Sequence, residues 1–180
     1  YKTVCRASGE ASFQYIVKGI ELAMARQVDG VVTGPINKEA INLAGHHYSG
    51  HTEIFAEYTH TGNYGMLLLS KSLRVIHVTT HMSMRNACDL IRENPDRVAW
   101  AIRLAQEAME QLGIEHPRIA VAGLNAHSSE NGLFGDEEAR SIIPAIAQCR
   151  AQGIDADGPV PPDTVFVKAM AGQYDVVVAM

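Results

Sequence analysis

Cysteine, tryptophan and charge are all scarce in this sequence. Its 180 residues include three cysteines and one tryptophan, and charged residues make up only 19%. Cys5, Cys88 and Cys149 lie far apart and form no CxxC pair, which argues against a disulfide framework and suits a reducing cytoplasm. No apolar run approaches the roughly 20 residues of a membrane helix, so we expect no membrane-spanning protein.

Basic residues are also few, because 15 Lys and Arg stand against 20 Asp and Glu, for a formal net charge of −5. The phosphate backbone of nucleic acids is bound by clustered cations, and no such cluster occurs, so we expect no nucleic-acid partner. Hydrophobic residues make up 47% of the chain, which is enough for a globular core in about one domain.

Both ends of the chain look cut. The sequence begins at Tyr1 and stops inside the apolar run Tyr174–Met180, which is typical of a buried strand. We interpret the chain as the central region of a longer protein, with N-terminal and C-terminal segments missing.

Short β-branched runs alternate with segments of helical period. Strands are predicted at 28–32, 65–69, 73–80, 118–122 and 174–180, and helices at 11–26, 37–43, 50–60, 94–112 and 136–153. Pro144 should kink or split the last helix, and residues 158–163 are predicted to form a stiff loop. This alternation indicates an α/β fold with a mostly parallel sheet flanked by helices, in which ligands bind outside the carboxyl ends of the strands.

Histidines follow two of these strands. His81 comes directly after the strand predicted at 73–80, and His127 follows the strand predicted at 118–122. Two neutral imidazoles held at one sheet edge can share a divalent metal. The alternative is that each is a hydrogen-bonded histidine at a strand end, since the chain has no compact motif such as HExxH.

Two further segments suit a polar or anionic ligand. Ser49–Glu53 contains Gly50, which lets the backbone approach a ligand, and His51, which adds a donor at a helix start. A plain helix cap, to which Thr52 would contribute, explains the segment equally well. Thr33–Lys38 also suits an anion but lacks the spacing of a Walker A loop. No GxGxxG occurs, so a dinucleotide would not be bound by the usual fingerprint.

Five segments, taken together and in order, resemble the 4-hydroxythreonine-4-phosphate dehydrogenase family of pyridoxal phosphate biosynthesis. They are Thr33–Lys38, Ser49–Glu53, Thr79–His81, Gly123–His127 and Pro162–Thr164. The resemblance implies a fold like that of isocitrate and isopropylmalate dehydrogenases, a homodimer, and NAD as cofactor.

The resemblance also implies a divalent metal, often zinc and otherwise Mg, Co or Mn, held by three histidines at a site shared between subunits. His81 and His127 match two of these ligands, and the third would lie just after Met180. His51 and Thr52 match a substrate-binding pair, and Asp163 matches an active-site acid. Most NAD contacts would lie beyond Met180 as well, so the sequence assigns no cofactor-binding residue.

The substrate implied by the family is 4-hydroxy-L-threonine 4-phosphate, which would be oxidised and decarboxylated to 3-amino-2-oxopropyl phosphate. Residues 125–130 read Asn-Ala-His-Ser-Ser-Glu where pyridoxal-pathway members usually read Asn-Pro-His-Ala-Gly-Glu, and residues 131–136 are closer to a branch acting on D-threonate or D-erythronate 4-phosphate. Lys38 and Asp163 are both candidates for removing the hydroxyl proton.

Two other classes of function stay open at this point. One is a non-catalytic module that binds phosphorylated sugar acids around a structural metal. The other is a zinc hydrolase that uses His81 and His127 and works without NAD.

Overall fold

The computed structural model describes residues 3–180. The chain divides into two compact units, which we call the N-terminal unit, up to Tyr64, and the C-terminal unit, Gly65–Met180. The mixed α/β composition expected from the sequence is confirmed, and helices of the N-terminal unit precede the sheet of the C-terminal unit.

Three helices form the described part of the N-terminal unit. They are α1 (Arg6–Met24), α2 (Lys38–Leu43) and α3 (His51–Tyr58). An apolar core joins α1 to α3 through the buried side chains Phe13, Ile16, Ile20 and Ile54. The approach of α1 to α2 is close at Gly9, where a Cβ would overlap the carbonyl group of Ala40.

The strand predicted at 28–32 is wrong. Residues 27–37 contain no strand or helix, and Val32 is fully exposed. A strand is stable only when its backbone pairs with a neighbour, and no strand occurs among the described residues of the N-terminal unit to provide one. The segment Thr33–Lys38 therefore does not follow a sheet strand as expected. Instead it leads into α2, which Asn37 caps by accepting a hydrogen bond from the backbone N–H of Ala40 at 2.8 Å.

A five-stranded sheet forms the C-terminal unit, in the spatial order β1-β2-β5-β3-β4. Its strands are β1 (Leu67–Leu69), β2 (Arg74–His77), β3 (Ile119–Ala122), β4 (Ala156–Val160) and β5 (Val176–Ala179). β1 pairs with β2 in antiparallel fashion, and the other three pairings are parallel. The mostly parallel sheet is thus confirmed.

Helices cover both faces of this sheet. They are α4 (Met84–Glu93), α5 (Asp96–Gln111), α6 (Ile143–Ala151) and α7 (Val165–Met170). Successive residues of a strand point to opposite faces of the sheet and therefore pack into two different cores. Val178 packs with residues of α5 and α6 in one core, and Val177 packs with residues of α7 in the other. The helix predicted at 136–153 is divided as Pro144 suggests, since a π-helical turn, Glu138–Ile142, precedes α6.

Residues 158–160, predicted as part of a stiff loop, belong to strand β4 instead. Pro159 is tolerated there because β4 lies at the edge of the sheet, where a missing N–H costs no ladder bond. Helix α4 did not appear in the sequence pattern at all. Among residues 3–180, no helix is both long and apolar enough to cross a membrane.

Candidate functional site

The carboxyl ends of β2 and β3 lie at the same edge of the sheet. Both strands run parallel to β5, which lies between them, with Ile76 opposite Val178 and Val121 also opposite Val178. His81 follows β2 by four residues and His127 follows β3 by five. The topology therefore places both histidines after strand ends at one edge, as the sequence predicts.

Both histidines have left-handed backbone conformations, with φ of 54° at His81 and 51° at His127. Positive φ is uncommon outside glycine. The other isolated cases, Arg26 and His60, lie just past the ends of α1 and α3, where a left-handed residue is an ordinary helix terminator. His81 and His127 follow strands instead, and strained residues at such positions favour a functional role.

His127 begins a run of five left-handed residues that ends at Asn131. We call Ala126–Gly132 the His127 turn. Each non-glycine residue in this conformation costs roughly 1–2 kcal/mol, so the run costs on the order of 5–10 kcal/mol before any contact is counted. Such a turn persists only where its surroundings hold it strongly.

A buried carboxylate holds the chain just before the turn. Glu138, at 2% exposure, accepts hydrogen bonds from the backbone N–H groups of Leu124 and Asn125 through one oxygen, Oε1, at 2.8 and 2.7 Å. Its Oε2 accepts from the Asn125 side-chain amide at 2.9 Å. In the sequence, the acidic run Asp136–Glu138 is most simply interpreted as charge that complements a helix dipole, and at Glu138 that interpretation is wrong. No period or motif in the sequence separates Glu138 from its acidic neighbours.

The adjacent Glu137 contacts the same amide group. Its Oε2 accepts a hydrogen bond from Asn125 Nδ2 at 2.8 Å, and this bond lowers the pKa of the Glu137 carboxyl. Gly135, with φ of 145°, leaves the room that this pair needs, because a Cβ there would lie 2.5 Å from Glu137 Oε2.

Asp163 lies beside His127. The distance from His127 Nδ1 to Asp163 Oδ2 is 3.4 Å, and both side chains are about half exposed. A carboxylate at Nδ1 favours the tautomer that leaves Nε2 as a metal ligand. A cleft of about 590 Å³ adjoins His127 and is lined by the turn, Asp136, Glu138 and Pro161.

His81 borders a smaller cleft of about 150 Å³ together with Thr79, Cys88 and Leu124. Imidazoles at one sheet edge, one of them oriented by a carboxylate, are donors that fit a divalent metal. Within the described residues, however, no three His, Cys, Asp or Glu side chains group to hold a metal ion. The C-terminal unit therefore supplies His81 and His127 as candidate ligands without a third.

His51 is the first residue of α3 and lines a cleft of about 220 Å³ within the N-terminal unit. Residues 33–36 form part of the same cleft, so the two segments predicted to suit a polar ligand adjoin one another. The His51 Nε2 atom is buried and has no hydrogen-bond partner in residues 3–180. A buried ring nitrogen without a partner is costly, and a ligand in the cleft is one way of satisfying it.

Thr52 and Lys38 occupy less distinctive positions. Gly50 is the N-cap of α3, so the expectation that Thr52 caps this helix is wrong, and Thr52 lies half-buried in the first turn. Lys38 is the first residue of α2 and is exposed.

Comparison with known proteins gives a consistent result. The profile of the family described as pyridoxal phosphate biosynthetic protein PdxA matches residues 1–180. The D-threonate 4-phosphate dehydrogenase of Pectobacterium atrosepticum is 48% identical over 96% of this chain and 52% of that protein. The 4-hydroxythreonine-4-phosphate dehydrogenase of Beijerinckia indica is 51% identical over 98% of this chain and 52% of that protein.

Solved structures agree. The crystal structure of a 4-hydroxythreonine-4-phosphate dehydrogenase from Klebsiella pneumoniae superposes with a TM-score of 0.88 at 46% identity, over 98% of this chain and 53% of that one. A terephthalate 1,2-cis-dihydrodiol dehydrogenase from Burkholderia xenovorans has a TM-score of 0.69 at 30% identity. The chain thus spans about half the length of these relatives, and over that span it belongs to the PdxA family.

Proposed function

We propose that the full-length protein is an NAD-dependent oxidoreductase that needs a divalent metal and acts on a phosphorylated four-carbon hydroxy acid. The observation that carries the proposal is the pair His81 and His127, both left-handed and both following parallel strands at one edge of the sheet. Family membership supports the reaction class, because its named relatives are dehydrogenases.

Five side chains have proposed roles at the metal and the substrate. His81 and His127 would hold the metal through ring nitrogens, and Asp163 would keep the His127 tautomer fixed. His51 would donate from its unpartnered Nε2 to the phosphate or carboxylate of the substrate, with Thr52 beside it. A bound divalent metal would supply Lewis acidity toward the reacting oxygen.

The reaction has two steps. Carbon 3 gives its hydride to NAD⁺ and its hydroxyl gives a proton to a base, which leaves a ketone β to the carboxylate. Carbon dioxide then leaves, and carbon 2 of the resulting enolate takes up a proton. Lys38 and Asp163 are the two candidates for the base. Asp163 lies next to His127 and therefore near the proposed metal ligand, while Lys38 is exposed at the start of α2.

The first candidate substrate is 4-hydroxy-L-threonine 4-phosphate, giving 3-amino-2-oxopropyl phosphate. It is supported by the family description and by the name of the Beijerinckia indica relative. With this substrate the protein would act in pyridoxine biosynthesis.

The second candidate is D-threonate or D-erythronate 4-phosphate, giving dihydroxyacetone phosphate. It is supported by the sequence of the His127 turn and its flank, 125–136, and by relatives named for D-threonate 4-phosphate at 48% identity. The two candidates differ in the group at carbon 2, which is an ammonium in one and a hydroxyl in the other.

A cytoplasmic homodimer with a metal site shared between subunits completes the proposal. It is supported by the family resemblance and by the two candidate ligands that the C-terminal unit supplies. In this arrangement residues 1–180 are the central substrate-binding and metal-binding region of the dehydrogenase.

The test is NADH absorbance with the purified full-length protein, NAD⁺ and each of the three phosphorylated acids. We expect NADH with at least one of them, and the preferred acid decides between the two candidates. Tight binding of an acid without NADH would favour a non-catalytic binding module. Product without NAD⁺ would favour a metal-dependent hydrolase.

A further inference from the structure

Glu138 is a buried carboxylate without a role in the reaction proposed above. Within residues 3–180, its three hydrogen-bond donors belong to Leu124 and Asn125, the residues between Gly123, which follows β3, and the His127 turn. A buried charge is costly unless several donors compensate it, and here three N–H groups converge on two oxygens. Glu138 therefore fixes the direction in which the chain leaves the sheet.

Five of the seven residues of the His127 turn, from His127 to Asn131, are in the left-handed conformation. Its five left-handed residues each prefer another backbone conformation, so the preceding segment must determine where His127 points. The backbone N–H of Ser128 donates to the carbonyl of Asn125 at 3.0 Å, which joins the turn to the segment that Glu138 holds.

A close contact restrains the turn from another direction. Ser128 lies against Gly123, where a Cβ would come within 2.5 Å of the Ser128 hydroxyl and 3.0 Å of its Cα. The turn therefore folds back onto the end of β3 with little space to shift. Glu138 and this contact together restrict the backbone of the His127 turn to one conformation.

We infer that Glu138 is a positioning residue for His127. Acting through Leu124 and Asn125, it keeps the imidazole beside Asp163 and at the edge of the 590 Å³ cleft. The inference rests on the proposed function in one respect, which is that His127 is a metal ligand.

The test compares Glu138→Gln with Glu137→Gln in the full-length protein. Glu138→Gln keeps the side-chain size but turns an amide N–H toward the Asn125 amide, so that two donors oppose each other. Glu137→Gln makes the same chemical change in the neighbour, which accepts a hydrogen bond from the Asn125 side chain but none from the backbone of Leu124 or Asn125 among the described residues. Because groups that orient a ligand set metal affinity, we expect Glu138→Gln to weaken Co²⁺ binding by about 10–100-fold and Glu137→Gln by less than about threefold.

A second measurement does not depend on the metal. In the metal-free protein, NMR relaxation should show order parameters in the His127 turn falling below about 0.6 in Glu138→Gln and staying near rigid-backbone values in Glu137→Gln. A Glu138→Gln protein that melts earlier but keeps its Co²⁺ affinity and turn order would show a merely structural role and overturn the inference.

Two further outcomes distinguish a failure of the proposed function from a failure of the inference about Glu138. If His127→Ala binds Co²⁺ as tightly as the wild type, the proposed function fails, and turn order alone decides the role of Glu138. If Glu138→Gln does not fold, Asn125→Ala replaces it, since it removes one of the three donors and keeps the carboxylate. We expect the same two changes at smaller size, and their absence would also overturn the inference.

Discussion

His51 and His127 are held in opposite ways. His51 starts an ordinary helix, α3, and needs no unusual backbone conformation, whereas His127 lies in a run of left-handed residues that a buried carboxylate keeps in place. The first residue of a helix needs no backbone strain, so only the His51 side chain has to be suited to binding. The strained turn at His127 lowers the stability of the fold, and this loss is explained if the imidazole must point in one particular direction.

The largest expected effect is that of His127→Ala. If the strain serves metal binding, removing the imidazole should weaken metal affinity and catalytic efficiency by at least about 100-fold, more than the loss of an orienting residue. The side chain is 58% exposed, so the melting temperature of the metal-free protein should hardly change. Metal titration, steady-state kinetics and thermal unfolding of the full-length protein measure the three quantities. A loss of stability without a loss of metal affinity would contradict the comparison.

His51→Ala should have a smaller effect, confined to the substrate. Losing a charge-assisted hydrogen bond to a phosphate or carboxylate costs about 1.5–3 kcal/mol, which is roughly ten- to a hundredfold in kcat/KM. Metal affinity should stay unchanged, and the free energy of unfolding should shift by less than about 1 kcal/mol.

Thr52→Ala is the matched variant for His51→Ala. Because Gly50 and not Thr52 is the N-cap of α3, no capping contribution is lost, and the melting temperature should stay close to that of the wild type. If Thr52 contacts the substrate, Thr52→Ala should lower kcat/KM without changing the melting temperature. If His51→Ala lowers the melting temperature by many degrees and leaves kcat/KM intact, His51 is structural.

The two units should also differ in their response to acid. In the C-terminal unit, hydrogen bonds from Arg118 hold the pKa of the Asp175 carboxyl below its ordinary value of 3.8. A lowered pKa contributes stability above pH 3.8, and that stability is lost as the pH falls from 3.8 through the lower folded value. Asp175→Asn should therefore cost about 1–2 kcal/mol at neutral pH, since the carboxylate is 22% exposed, and almost nothing once Asp175 is protonated.

The matching group in the N-terminal unit is Glu10, whose pKa is lowered by hydrogen bonds from Gln14 and His46. Glu10 is more exposed than Asp175, so Glu10→Gln should change acid stability less. Urea unfolding at several pH values measures both variants. A larger effect at Glu10 would contradict this ranking of the two units.

The smallest effect concerns the backbone of the His127 turn alone. Glu130 is exposed and has φ of 46°, so Glu130→Gly should stabilise the protein by up to about 1 kcal/mol by relieving strain. Glu130→Ala is the control, because it removes the same side chain and keeps the strain. Equal melting temperatures for the two variants would show that the turn is not strained.

Much of the C-terminal unit was predictable because its inner strands β3 and β5 are apolar runs that are buried on both faces. The run ending at Met180 is β5, in the middle of the sheet, and the kink expected at Pro144 is present. That residues 28–32 form no strand was not predictable, because their valines are typical of a strand. Whether they form one depends on a neighbouring strand to pair with, which the local sequence does not show.

The candidate site, too, was only partly predictable from the sequence. That His81 and His127 follow strand ends at one sheet edge results from the parallel direction of β2 and β3, which the alternation of strands and helices in the sequence predicts. The left-handed turn does not follow, because Ser128, Ser129 and Glu130 have no preference for positive φ. Glu138 was missed for a related reason, since its role depends on a contact across 13 residues that no local spacing records.

The most direct test of the account is NADH formation by the full-length protein, measured with its preferred phosphorylated acid before and after removal of divalent metal. We predict that chelation abolishes NADH formation, that added Zn²⁺ or Co²⁺ restores it, and that His81→Ala and His127→Ala are not restored at the same metal concentration. NADH formation that survives chelation, or a His127→Ala protein as active as the wild type, would contradict the assignment of these histidines.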